Sequence, residues 1–208
     1  MKILHIIPAG FNYFDDIKKN AMELAEKQKE RGFTVEAFTI QYHGFTAKQS
    51  ANTFKNTPLM IYSGVFKEQD VMSQLSGYDI VHFHAPFFGI IGKICRMLKH
   101  ERQNYKIVIS YWRNPIISDI FSIFIFIYNR YYIPILSSLS DAQIFLPIGS
   151  CARISKWLKN TDNIIDFFDS PNNADNIPLT PAENSLKLDI VNMRVEACIN
   201  IYNKLINN

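Results

Sequence analysis

His84 stands at the end of an apolar run, Ile80-Val81-His82-Phe83-His84-Ala85-Pro86, which has the length of a buried strand and is stopped by Pro86 and Gly89. An imidazole titrates near neutral pH and can give or take a hydrogen bond to a hydroxyl, which suits acid–base work on a polar substrate. Ligands of an open parallel α/β sheet bind at the carboxyl ends of its strands, so the run predicts His84 at the edge where chemistry is done. The structural alternative is a histidine satisfied by backbone at a strand end. His82, two residues earlier on the same face and deeper, is expected to be structural. A second strand-like run, Lys106 to Tyr111, delivers Trp112 and Arg113 to the same kind of edge. The indole could stack on a sugar or lipid group and the guanidinium could hold a phosphate, although both also suit capping of a sheet edge.

Other constellations are poor. His5, His43 and His100 share no ligand spacing, and no Ser/His/Asp or GxSxG pattern occurs, so neither a metal site nor a hydrolase is expected. The first strand is followed by PAGFNYFDD and not by GxGxxG, which argues against a dinucleotide, and no cofactor is expected. Cys95, Cys151 and Cys198 are odd in number and widely spaced, the usage of buried thiols in a reducing, cytoplasmic compartment. Met1 to Ile7 runs straight into Pro8 without the extended apolar core of a signal peptide, in keeping with that compartment. Twenty-two basic against nineteen acidic side chains give a formal charge of +3, too little to make nucleic acid the default partner. It leaves room for weak attraction to anionic lipid at the inner face of a membrane.

These residues must be held by a framework, and the 208-residue chain, 48% apolar, can bury a sizeable core. Lys2 to Ile7 reads as a first buried strand and Asp15 to Arg31 as a helix, with Ile17, Ala21, Leu24, Ala25 and Gln28 at helical spacing and Gly32 at the C-cap. Strands are expected over Phe33 to Ile40, Leu59 to Tyr62, the His84 run, Lys106 to Tyr111 and, as the last, Ala142 to Pro147. Helices are expected over Phe66 to Leu75, Gly89 to His100 and Ser150 to Leu158. Ile116 to Leu139 is aromatic and aliphatic but broken by Asp119, Asn129, Arg130 and Pro134, so it lacks the roughly 20 apolar residues of a membrane span. It reads as buried core helix, with interfacial membrane contact as the second reading. Asn160 to Pro181 is rich in Asn, Asp and Pro, the composition of a linker. Pro181 to Leu205 closes the chain as an amphipathic helix whose stripe, Leu188, Val191, Val195, Cys198, Tyr202 and Leu205, needs a surface to dock on. The alternation predicts an α/β fold: one Rossmann-like, doubly wound parallel sheet over residues 1–160, a linker at 161–181, and a terminal helix at 182–208 packing back on it.

In order along the chain, MKILHIIP, MELAEKQKERGFTVEAFT, YDIVHFHAP, KIVISYW and SDAQIFLP resemble the amino-terminal half of the GT-B retaining glycosyltransferases, the large bacterial mannosyl- and glucosyltransferase family. IIDFFDSPNNAD resembles that family's interdomain turn, and Val195 to Leu205 its carboxyl-terminal crossover helix. The resemblance implies an acceptor-side domain without the donor domain that holds most nucleotide-sugar contacts. It places His84 at the second histidine of the family's HxHxP, near the acceptor and the transferred sugar, and makes it the expected catalytic residue. Substrate binding is expected of Gly10, Phe11 and Asn12 after the first strand and of Trp112 and Arg113. Two departures weaken an enzymatic reading. Asp15 and Asp16 fill the place of the family's diglycine, where carboxylates would repel a diphosphate, and Trp112 stands where a histidine is frequent.

The leading expectation is therefore the acceptor half of a split or incomplete glycosyltransferase, partnered by a donor-domain protein and acting on a sugar or lipid-linked acceptor. The alternative is a non-catalytic remnant that binds a carbohydrate or a protein.

Overall fold

The computed structural model describes residues 1–8, 15–41, 60–65, 75, 77–87, 90–100, 105–112, 126–145, 164–166 and 181–207. Seven strands are found among them: β1 (Lys2–Pro8), β2 (Thr34–Gln41), β3 (Met60–Val65), β4 (Ile80–Ala85), β5 (Lys106–Tyr111), β6 (Ala142–Phe145) and β7 (Ile164–Asp166). They form one sheet in the order β3-β2-β1-β4-β5-β6-β7, and every neighbouring pair is parallel. The chain winds outward from β1 to β3, returns to lay β4 against the other side of β1, and winds outward again. The direction of winding therefore reverses between β1 and β4, the switch point at which such sheets bind ligands.

The central strands are buried on both faces, so their near-continuous apolar sequences carry the sheet rather than strict alternation. One face is covered by α2 (Ile91–His100), a π-helical turn at Tyr128–Tyr132 and α3 (Ile133–Leu139). Leu4, Ile6, Val81, Phe83, Ile107 and Ile109 meet Ile94, Met97, Leu98, Ile133 and Leu136 there. The other face is covered by α1 (Asp15–Glu30) and α4 (Pro181–Asn207), with Ile3, Ile80 and Val108 packed under Leu24, Ala25, Val195 and Tyr202.

α1 begins with Asp15 and Asp16, whose charge suits the positive end of the helix dipole. It ends in a Schellman arrangement: Phe33 N–H bonds the Gln28 carbonyl, Gly32 N–H bonds the Lys29 carbonyl, and Gly32 takes a φ of 87° that disfavours any side chain. α4 docks as its stripe predicts. Val191, Val195, Cys198, Tyr202 and Leu205 are buried, as are Ile199 and Ile201. Each such burial is worth about 1.5–3 kcal/mol before ordering costs, and leaving them in water would be untenable.

Ala142–Phe145 is not the last strand. Ile164–Asp166, in the stretch expected to be a linker, pairs with β6 and extends the sheet to seven. A three-residue edge strand is too short to show periodicity, and the Asn- and Asp-rich residues after it dominated the composition. β1 runs through Pro8, and β3 runs from Met60 to Val65 rather than Leu59 to Tyr62. The expected helix at Ser150–Leu158, the expected helix at Phe66–Leu75 apart from Leu75, and the segment 113–125 lie outside the described residues. Among the described residues no helix is long and apolar enough to cross a membrane.

Candidate functional site

β1 and β4 are in register with His5 opposite His82, and β4 and β5 with His84 opposite Ser110. Side chains alternate with a period of two, so His5, His82, His84 and Ser110 all point to the α1/α4 face. There they make a polar layer with no exposed surface, between the Ile3, Ile80 and Val108 layer and the strand ends. The His82 and His84 rings stack with centroids 4.3 Å apart, and His5 lies 5.1 Å from each.

A buried polar layer must satisfy its own hydrogen bonds, and this one does so in a line. Trp112 Nε1 donates to His84 Nδ1 at 2.7 Å. An indole N–H can only donate, so His84 Nδ1 carries no proton and its Nε2 does. His84 Nε2 then donates to His5 Nδ1 at 2.8 Å, which leaves His5 Nε2 to donate to Gln28 Oε1 at 2.8 Å. Gln28 Nε2 donates to the Tyr202 hydroxyl at 3.4 Å, the Tyr202 hydroxyl is bonded to His82 Nδ1, and His82 Nε2 is bonded to Ser110 Oγ at 2.6 Å. The donor-only indole thus sets the direction of the bonds from Trp112 through His84 and His5 to Gln28, and all six bonds tie α1, α4 and three strands together.

Electrostatics agree with a neutral line. Burial holds the His5 imidazole down at about 4, opposed by its bond to Gln28. Burial keeps His82 and His84 well below the ordinary 6.5, reinforced for His82 by His5 and for His84 by His82 and then His5. Burial also pushes the Cys198 thiol up to about 12 and the Tyr202 phenol well above its usual value. The layer contains no charge at neutral pH.

Three imidazoles whose ligand atoms lie within 4.8 Å of one another meet the spacing of a metal site, a grouping that the separation of His5 from His82 in sequence concealed. Their proton pattern fits an ion poorly. The Trp112 bond keeps a proton on His84 Nε2, the nitrogen aimed at His5, and the line brings no carboxylate to balance a divalent charge.

Of the residues singled out in sequence, His84 lies in the penultimate position of β4, at the carboxyl edge beside the switch point, and Trp112 follows β5 directly. The fold brings these two together. His84 is buried with both ring nitrogens engaged by Trp112 and His5, whereas Trp112 is half-buried. His82 is held at both nitrogens by Tyr202 and Ser110. Gly10, Phe11, Asn12 and Arg113 lie outside the described residues. His5, Gln28, Tyr202 and Arg194 were missed; the Arg194 guanidinium lies 5.7 Å from the centre of the Trp112 ring, so α4 brings a cation to the same edge. A signal existed for Gln28, a polar residue in the apolar stripe of α1, and for Tyr202 in that of α4.

No family model matches this chain, and no curated protein matches it. Solved structures do. An alpha-glucosyltransferase in complex with UDP-glucose and DNA containing an abasic site is similar over 81% of this chain and 42% of its own, with a TM-score of 0.56 at 12% identity. Alpha-glucosyltransferase in complex with UDP and a 13-mer DNA containing an HMU base is similar over 80% of this chain and 42% of its own, with a TM-score of 0.58 at 11% identity. At such identity the likeness speaks for the fold alone: an α/β domain matching the Rossmann-like domains of GT-B glycosyltransferases. The chain spans less than half the length of these structures.

Proposed function

We propose that this chain is the acceptor-side domain of a glycosyltransferase, binding a saccharide or lipid-linked saccharide at the carboxyl edge of β4 and β5, with His84 and Trp112 as the residues that meet it. The observation that carries the reading is the His84–Trp112 pair beside the switch point of a sheet that matches GT-B domains. Trp112 offers a partly open aromatic face for a sugar ring, and Arg194 beside it offers a charge for a phosphate. The donor half would come from a further domain or a partner chain, since the matching structures are more than twice as long as the part matched. The small net charge gives no ground for extending the neighbours' DNA to this chain.

A lipid-linked acceptor is favoured by a surface on the opposite face of the sheet. Phe126, Ile127, Tyr131 and Ile135 are 53%, 40%, 59% and 39% exposed, the last three one helical turn apart, with exposed Arg130 among them. The neighbouring α2 exposes Lys93, Arg96 and Lys99. Exposed apolar side chains with cations on the same and the neighbouring helix suit an anionic membrane surface. Sedimentation with vesicles containing phosphatidylglycerol should carry the protein down, and Tyr131→Asp should reduce the bound fraction several-fold without changing the melting temperature.

The acceptor reading is tested by titrating octyl glucoside, below its micelle concentration, into the protein and following tryptophan emission. Saturable binding weakened at least ten-fold by His84→Ala supports it; an absence of saturable binding overturns it. One observation favours the second reading, a non-catalytic remnant: His84 has no ring nitrogen left for a substrate while Trp112 and His5 hold it. On that reading His84→Ala lowers stability and leaves glucoside binding unchanged.

A further inference from the structure

We propose that Gln28, Tyr202 and His5 are positioning residues that hold His84 in its Nε2–H form, so that Nδ1, now capped by the Trp112 indole, is an acceptor reserved for a hydroxyl donor at the sheet edge. The ligand half of this proposal rests on the acceptor reading above; the tautomer half does not, and the two can fail separately.

The line is fixed at one end by the indole and biased at the other by Gln28. At the open end, Trp112 can only donate, which forces Nδ1 of His84 to accept. At the buried end, Gln28 spans the gap between α1 and the sheet with its carbonyl toward His5 and its amide nitrogen toward Tyr202. The carbonyl demands a proton on His5 Nε2, which strips His5 Nδ1 and makes it accept from His84 Nε2. Gln28 can reverse only if Tyr202 turns its hydrogen to the Gln28 carbonyl and His5 and His84 exchange tautomers together, which the Trp112 N–H opposes at His84. Tyr202, on α4, accepts from Gln28 and is bonded to His82 Nδ1 and to the Cys198 thiol.

The indole therefore occupies a place that the buried line has already prepared. If Trp112 swings aside, His84 keeps its Nε2 proton and presents a bare Nδ1 lone pair. An unprotonated imidazole nitrogen takes a hydroxyl or N–H donor and gives nothing to a phosphate oxygen. The class of ligand this edge selects at His84 is thus a neutral polyol, with Arg194 beside Trp112 as a cation for any anionic group that accompanies it. The stacked Arg194 guanidinium also gives Trp112 a partner on its face that does not depend on the bond to His84.

Histidine tautomers are read directly by long-range nitrogen–proton NMR on the ¹⁵N-labelled full chain at pH 7. The expected result is that all three histidines are neutral and that His5 and His84 are both Nε2–H. Trp112→Phe should leave His84 as Nε2–H, because the line from Gln28 still sets it, whereas Trp112→Phe with Gln28→Leu should give both tautomers in comparable amounts. Nδ1–H at His84 in the native chain or in Trp112→Phe, or an unchanged tautomer in the double variant, overturns the proposal. Should the double variant not fold, the native spectrum decides: an Nδ1–H form at His5 or His84 breaks the line. For the ligand half, Trp112→Phe should let octyl glucoside shift the His84 Nδ1 resonance, while inorganic phosphate should not; a shift with phosphate and none with glucoside overturns it.

Discussion

The two faces of this sheet are built by alternate residues of the same strands, yet they differ in kind. Toward α2 and α3, Leu4 and Ile6 of β1, Val81 and Phe83 of β4, and Ile107 and Ile109 of β5 make a dry hydrocarbon layer. Toward α1 and α4, their neighbours His5, His82, His84 and Ser110 make a polar layer that is just as buried. Hydrocarbon contact is non-directional, so the first face tolerates repacking and holds the domain by area. Hydrogen bonds are directional, and a buried one left unmade costs more than a made one gains. The second face therefore contributes less stability per residue but specifies one arrangement. It is also the face whose last members reach the carboxyl edge.

The largest expected effect tests whether the polar face has a lid at all. Removing residues 181–207 would expose Val191, Val195, Cys198, Ile199, Ile201 and Leu205 partners on the sheet and leave His82 and Gln28 without Tyr202. At about 1.5–3 kcal/mol per buried side chain the loss rivals the roughly 5–15 kcal/mol stability of a whole domain. The truncated chain should be unfolded or aggregated by circular dichroism and size exclusion. A cooperative melt close to that of the full chain would show that α4 is not part of this core.

Next in size is Phe83→Ala on the hydrocarbon face, where Phe83 is fully buried and meets the edge of Phe87. A cavity of that kind costs about 3–5 kcal/mol in denaturant unfolding. The loss should be the same at pH 7.5 and pH 5, because the described residues buried with Phe83 are apolar, Tyr or Cys and take up no proton in this range.

Acid acts on the other face. His5 has its folded value lowered to about 4 from 6.5, and His82 and His84 are lowered as well, so the unfolded chain binds the more protons. Stability from this layer is thus fully present above pH 6.5 and drains away as the pH falls toward 4. His5 alone accounts for about 3 kcal/mol over that window. Unfolding free energies at pH 7.5, 6 and 4.5 should fall accordingly, and a flat profile would mean that the imidazoles are not held neutral.

Smallest is Tyr202→Phe, which keeps the ring and removes one oxygen. Gln28 Nε2 loses its acceptor and His82 Nδ1 its hydroxyl partner, at about 1–3 kcal/mol. Its ring still fills the space, so the loss should fall below that of Phe83→Ala. No loss at all would show that the polar face is held by packing alone.

Much of this domain was legible from local pattern. Lys2 to Pro8, Ile80 to Ala85 and Lys106 to Tyr111 announce buried strands because burial on both faces requires apolar residues in succession, and Gly32 announces a helix end because only a residue without a side chain is at ease at a positive φ. The stripe of α4 announced that it must dock, and His84 and Trp112 were visible as residues delivered to strand ends. Each of these depends on neighbours within a few positions. The three-residue β7 was hidden because so short a strand has no period to read.

What the sequence by itself determined is which residues are strand, helix and core, since hydrophobic spacing and backbone preference act along the chain. Only the tertiary structure decided that His5 faces His82, and that Gln28 and Tyr202, 174 positions apart, close one line between them. Strand register and helix docking make those contacts. Both are settled by the sum of packing over whole elements, a quantity that no short window of sequence contains.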